Sequence, residues 1–428
     1  MEDLGSLLNA EVSLFSRRLR GLAMISRGIV PNLIISQNVV DRVFKAAQSY
    51  IEDETGETMV GLVVDTNEPE TMPTLYVLDC IAPDDTVIRR SHMFEQGDEL
   101  QQDIFFWLLE NWNAYQDIGR DMSGKAIKDE WKVELKHLGD WHKQPGFMIQ
   151  PSGGDWQTAL RIMDDEENAF EFLLVPIVTL GHPSVTSDSG SQVNYFTRDL
   201  GDGTSLRMDW WYIHRDVRVF QPITPKIVPA RDLPDLTPYP WHILKADLLD
   251  EELNLLEEDG KFLMSPSAIF WELDGDLPLE ICFIVGRTGS NQVYLVVTDW
   301  DYPNTKPRIR LADFSQINPS QYIADVFADL LEISEEAPDP ENFEWDPESS
   351  YIVDYIALIE REMGVRPDDA PMPWERDQLD ETSIGVEIET DADDETADAR
   401  ASSTDAGADQ ADDDATQTEV ETSEEETT

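Results

Sequence analysis

Eight residues, Thr58–Asp65 (TMVGLVVD), make an apolar run that cannot face water along its length. A strand apolar on both sides has to be covered on both sides, which is what a sheet layered with helices provides. The flanking sequence carries such cover. Asn38–Ile51 sets Val39, Val43, Ala46, Ala47 and Tyr50 on one helical face, and Asp98–Asn113 does the same with Leu100, Ile104, Phe105, Leu108 and Leu109. Strand patterns at Asn32–Ser36, Leu75–Ala82, Trp131–Leu138 and Ala169–Leu180 alternate with these helices, and Asp155–Glu166 reads as a further helix. The fold class expected is α/β, a sandwich of a mixed sheet with helices. Asn194–Thr197 and Met208–Arg215 add a hairpin around Asp202-Gly203.

Six prolines between Pro222 and Pro240 read as an extended connection to a second, α+β unit. There a helix at Leu244–Leu256 precedes three strands, Phe262–Trp271, Leu279–Val285 and Gln292–Thr298, and Ser320–Leu331 closes the unit as a helix. The resulting division is an N-terminal helical arm at 1–30, a first domain at 31–221, the Pro-rich linker at 222–240 and a second domain at 241–335. An acidic linker with a short helix at Ser350–Met363 follows over 336–376, then an acidic tail at 377–428. The tail is rich in Asp, Glu, Thr, Ala and Ser and lacks aromatics, a composition that cannot offset ordering entropy, so disorder is expected there.

Charge narrows the partners. The formal net charge is −57. Phosphate backbones and anionic membranes need clustered Lys and Arg, so neither nucleic acid nor a membrane surface is an expected partner. The same acidity is also compatible with a high-salt environment. Cys80 and Cys282 stand far apart in apolar runs and read as buried thiols rather than a disulfide or a metal cluster. Residues 1–30 do not have the order of a signal peptide, and no apolar run reaches membrane-spanning length, which points to a cytoplasmic protein.

Chemistry concentrates in Trp141–Asp155 (WHKQPGFMIQPSGGD). Zinc catalysis needs about three protein ligands, an open position for water and a base beside it. His142, Gln144 and Asp155 stand where such ligands would be, and Ser152 adds a hydroxyl. Ser152 and Asp155 also fit a helix-capping pattern. Glu57, at the entrance of the apolar strand, is the candidate base, with Glu54 as a substitute.

Together these residues resemble the JAMM metalloprotease family, also called MPN or JAB. Its pattern is an upstream Glu before x-x-Gly, then His-x-His-Pro, then Ser-x-x-Asp. His142-x-Gln144-Pro145 and Ser152-x-x-Asp155 fall at matching offsets, and the element order agrees over about residues 32–215. Gly61 lies one residue further from Glu57 than the pattern has it. The resemblance implies Zn2+ held by His142 and Asp155, Glu57 as general base, Ser152 as a hydrogen-bond donor to the oxyanion, and cleavage of a ubiquitin-like protein or its conjugates. Gln144 stands where the family has its second histidine, and a neutral amide is a poor zinc ligand beside imidazole. The resemblance therefore also admits a non-catalytic scaffold that binds such partners without hydrolysis. His137 could fill the gap only if it shared the face of His142, and a five-residue offset on a regular strand puts it on the other.

Asp301–Leu311 (DYPNTKPRIRL) resembles the Tyr-Pro-x-x-x-Pro-x-Ile segment of the ubiquitin-conjugating-enzyme fold and its RWD-like relatives. No cysteine follows Cys282, so that resemblance implies a binding domain without conjugating activity.

Overall fold

The computed structural model describes residues 30–375, apart from 66–71, 98, 166–169, 184–192, 274, 276, 317–319, 341–342 and 368. The expected N-terminal helix and the expected disordered tail lie outside these residues.

The chain is mixed α/β. Strand β1 (Asn32–Ser36) leads through Ser36, whose hydroxyl accepts the Asn38 N–H, into helix α1 (Gln37–Ser49). Val39, Val40, Val43, Phe44 and Ala47 form its buried stripe. Strands β2 (Gly56–Val64) and β3 (Thr74–Ile81) pair antiparallel. A short hairpin, β4 (Ile88–Arg90) and β5 (Met93–Glu95), precedes helix α2 (Leu100–Ile118), which ends on Gly119 in a left-handed conformation. Then follow β6 (Leu135–Lys143), α3 (Gly153–Asp164), β7 (Phe172–Leu174), β8 (Ile177–Pro183), β9 (Tyr195–Asp199), β10 (Thr204–Asp209) and β11 (Trp211–His214). Strands β12 (Gln221–Pro222) and β13 (Pro225–Val228) complete an 11-stranded sheet whose main path runs β12-β11-β7-β6-β2-β3-β1-β13.

A six-stranded sheet follows. Helices α4 (Trp241–Leu244) and α5 (Ala246–Glu258) lead into β14 (Lys261–Leu263), β15 (Ile269–Trp271), β16 (Glu280–Arg287), β17 (Gln292–Thr298) and β18 (Arg308–Asp313). Helix α6 (Ile323–Ile333) covers one face, where Phe327 and Leu330 meet Cys282, Ile284 and Leu295. Strand β19 (Glu335–Glu336) adds to β18, and helix α7 (Ile352–Glu362) covers the other face.

The two sheets share one apolar core, into which the buried face of α2 packs. Trp107 and Trp112 of α2 belong to the cluster that holds Val60, Leu62 and Leu78 of the first sheet and Ile281, Phe283 and Val296 of the second. The Trp107 indole N–H donates to Pro238 O at 2.8 Å and its ring meets Phe270 edge-on at 5.0 Å. Asn111 Oδ1 accepts the Leu279 N–H at 2.9 Å. Burying each such aromatic contributes about 1.5–3 kcal/mol, so this seam is a substantial share of the stability.

Several expectations from sequence need revising. Trp131–Val133 is not strand: Asp129–Trp131 is a 3-10 turn and β6 runs instead through His142 itself. The apolar run at 169–180 is two strands, because Pro176 has no N–H to continue the ladder and Val175 N bonds Trp211 O instead. The Pro-rich segment contributes β13, which lies parallel to β1 on the sheet edge. Both cysteines are buried free thiols, as their apolar settings suggested.

Helix α7 is bound more deeply than a linker helix would be. Val353, Ile356, Ala357 and Ile359 are fully buried. Its Glu360 accepts from Tyr294 Oη at 2.6 Å, pairs with Arg287, and meets Lys261 Nζ at 3.3 Å. Lys261 also pairs with Asp259, which takes Arg366 at 2.9 Å. Each buried charge in this cluster has an opposite partner, the condition under which such groups persist away from water.

Candidate functional site

The register of β2 against β6 decides which side chains can meet. Gly56 opposes His142 and Glu57 opposes Trp141. Opposed residues of an antiparallel pair project to the same face, and neighbours along a strand to opposite faces. His142 therefore shares a face with Gly56, and Glu57 with Trp141. Packing agrees: a Cβ on Gly56 would lie 3.2 Å from His142 Cβ and 2.8 Å from the Phe94 ring.

On the His142 face is a cleft of about 740 Å³ between β6, the start of α3 and the β4–β5 hairpin. His142, Gln144, Ser152 and Asp155 all line it, so four of the residues singled out from sequence do converge. His142 Nε2 is 3.3 Å from Asp155 Oδ1. Gln144 Nε2 donates to Asp155 Oδ2 at 2.8 Å and lies 3.1 Å from His142 Nε2. Ser152 caps α3: its Oγ accepts the Asp155 N–H at 3.2 Å while its own N–H donates to Asp155 Oδ2. Burial alone would push the Asp155 carboxyl up, but hydrogen bonds from His142 and Ser152, with the charge of His142, pull it down to about 2.

Glu57 does not join them. It does not line the cleft. Its carboxylate accepts from Trp141 Nε1 at 3.3 Å and lies 3.8 Å from Arg42 Nε of α1, on the opposite side of the sheet. Burial raises its pKa against the pull of Arg42 and Trp141. The assignment of Glu57 as base is thus corrected by strand register. The residue three before Gly61, where the family pattern would have its glutamate, is Thr58, whose hydroxyl donates to Asp140 Oδ1 at 2.9 Å. Glu54 does line the cleft, and its carboxyl is raised by burial and by Asp155 and lowered by His142 and His92.

His137 also departs from expectation. Gly139, at φ +129°, makes a bulge in β6, and a Cβ there would sit 2.0 Å from Leu174 O. The extra residue resets the alternation, and His137 Nε2 contacts Asp140 Oδ1 at 3.1 Å. With its imidazole committed to Asp140, His137 does not take the place of the missing ligand.

The donor set does not fit the zinc that the resemblance implies. A cation has to be met by lone pairs, yet Gln144 presents an N–H to Asp155 Oδ2, one of the groups that would be its neighbours. Turning the amide over would set its oxygen beside Asp155 Oδ2, a repulsive contact that only a bound cation or an added proton relieves. As placed, Gln144 Oε1 is buried without a hydrogen-bond partner. Among the described residues no group of three or more His, Cys, Asp or Glu is arranged to hold a metal ion. What the arrangement does offer is a recess with a fixed anion, an imidazole, Arg161 and apolar walls that include Phe94, Met148 and Ile162. Phe94 and Arg161 were not foreseen; the three-residue strand carrying Phe94 is too short for periodicity to reveal.

No family model matches this chain, and no curated protein matches it. Among solved structures, the solution structure of a Desulfitobacterium hafniense protein aligns over 46% of this chain and 93% of its own, at 12% identity and a TM-score of 0.27. Likeness at that level transfers neither fold nor function. Among the described residues no helix is long and apolar enough to cross a membrane.

Proposed function

We propose that this protein is a JAB/MPN-type scaffold that has lost metal-dependent hydrolysis and uses the cleft around His142 to bind a ubiquitin-like protein or another protein partner. The observation that carries this reading is the Gln144 amide, which donates to Asp155 Oδ2 and lies against His142 Nε2. It supplies neutral N–H donors where a hydrolase of the family would need a third lone pair. Thr58 in place of the pattern's glutamate supports the same reading, because no carboxylate is then set to take a proton from a water nucleophile at that point. Support for a conjugating-enzyme-like or RWD-like binding domain comes from the second sheet: a β16–β18 meander with β14 and β15 both paired to β16, the Tyr302-Pro303 segment before β18, and a helix afterwards.

Zinc content tests the proposal. The purified wild-type chain is expected to carry far less than one equivalent and to leave a fluorogenic ubiquitin-like conjugate intact with zinc added. Gln144→His is expected to raise zinc affinity at least tenfold by adding an imidazole to His142 and Asp155. Stoichiometric zinc in the wild type that is lost in His142→Ala, together with turnover, would restore the hydrolase reading, with Glu54, which lines the cleft, as the candidate base.

A further inference from the structure

A second cleft, of about 870 Å³, opens where the two sheets meet, between the turn after β3, the first turns of α2, helices α4 and α5, and the chain before β15. Leu100, Phe106, Ile243, Leu249 and Phe270 give it apolar walls, and Phe106 at its rim is 46% exposed. Its charged residues are all acidic: Asp84, Glu99 and Asp103, with neither Lys nor Arg among the described lining residues. Glu99 and Asp103 stand one helical turn apart, and burial together with the charge of Glu99 raises the Asp103 carboxyl. A cation in the cleft would relieve that repulsion. His242 lines the same cleft with Nδ1 buried and without a hydrogen-bond partner. Burial holds its imidazole down at about 4, so it is a neutral polar group rather than a competing cation.

The sequence contains one segment with the complementary character. Residues 12–30 (VSLFSRRLRGLAMISRGIV) hold Arg17, Arg18, Arg20 and Arg27, no acidic residue, and large apolar side chains at Leu14, Phe15 and Leu19. This stands out in a chain with 31 Lys and Arg against 88 Asp and Glu. The described chain starts just before β1, where Asn32 N bonds Pro73 O. Strand β1 lies parallel to β3 with Asn32 beside Thr74, so the first described residues stand one strand length from Ile81, with the acidic turn at Asp84 three residues further on. Seven strand steps and three further residues cover about 33 Å. The ten residues from Arg20 to Val30 span up to about 33–36 Å when extended, and those from Leu14 about 53 Å or more.

We propose that this cleft is the docking site for the chain's own basic, apolar residues 12–20, held in cis. Arginines face Glu99 and Asp103, and the apolar side chains cover Phe106 and the walls beneath it. The contact joins the beginning of the chain to the seam between the two sheets.

The test uses the full chain with p-benzoylphenylalanine in place of Phe106, irradiated as an equal mixture of unlabelled and 15N-labelled protein. Expected are crosslinks to residues 12–20 within chains of one isotope. Glu99→Lys combined with Asp103→Lys, or Arg17→Glu with Arg18→Glu and Arg20→Glu, is expected to cut the yield at least fivefold. The arm variant keeps the test decisive if the cleft variant fails to fold. No crosslink, crosslinks only to other segments, mixed-isotope products, or a yield that the arm charge reversal does not change would each overturn the proposal.

Discussion

Glu57 and His142 lie on opposite faces of one sheet, because Glu57 is in register with Trp141, the residue before His142. Their roles can be separated by experiment. In a Gln144→His background, Glu57→Gln is expected to leave zinc affinity within about twofold of its parent. Glu54→Gln, which removes a carboxylate lining the cleft, is expected to weaken it several-fold. Competition against a chromophoric zinc chelator reads both, and a loss of tenfold or more from Glu57→Gln would show that the register argument is wrong.

Gln144 bridges His142 and Asp155. Replacing it with Leu keeps much of the volume and removes the donors, leaving part of the buried acceptor capacity of Asp155 unmet. A loss of about 1–3 kcal/mol is expected, measured by urea denaturation at pH 7. An unchanged midpoint would mean that solvent already satisfies these groups.

Asp155 should leave an acid signature. Its folded value of about 2 lies below the usual carboxylate value near 3.9. The unfolded chain then takes up a proton before the folded chain does as pH falls. The stabilising contribution is complete above about pH 4 and disappears towards pH 2. The stability gap between wild type and Asp155→Asn is expected to narrow over that window, as followed by denaturant titration.

Glu252 works in the opposite sense. It is 1% exposed; its carboxylate accepts from Tyr302 Oη and from Ile352 N at 2.9 Å, at the start of α7. Burial raises it to about 8, against those two hydrogen bonds, with Asp354 and Glu251 adding repulsion. Stability is therefore full below about pH 4.5 and declines as pH rises towards 8. Glu252→Gln mimics the protonated form, and its Tm is expected to exceed the wild-type value by several degrees at pH 8.5 while matching it near pH 4.5. Equal pH slopes in the two proteins would contradict this.

The parts of the fold that sequence reveals are those where one local rule operates alone. The apolar run in β2, the amphipathic stripes of α1 and α2, and the alternation of strands and helices all follow from burial of a repeating face. What stayed hidden depends on pairing. Nothing in the local pattern separates Glu54 from Glu57; only the register against β6 does so. The bulge at Gly139 defeats simple alternation and brings His137 to Asp140. Residues 350–363 read as a short helix in an acidic linker, since their tertiary partners, Lys261 and Tyr294, are far away in sequence. The cleft residues His142, Gln144, Ser152 and Asp155 were legible because a turn and a helix cap fix their spacing within 14 positions of one another.

The pairing of Lys261 with Glu360 limits where the molecule can be cut. A shortened version that stops before residue 350 would leave Lys261 with Asp259 alone, take Glu360 from Arg287 and strip Tyr294 of its acceptor, all beside vacant apolar space. Any fragment meant to carry the second sheet therefore has to continue past Arg366. Expression trials that end at the apparent boundary near residue 335 should yield aggregated material for that reason alone.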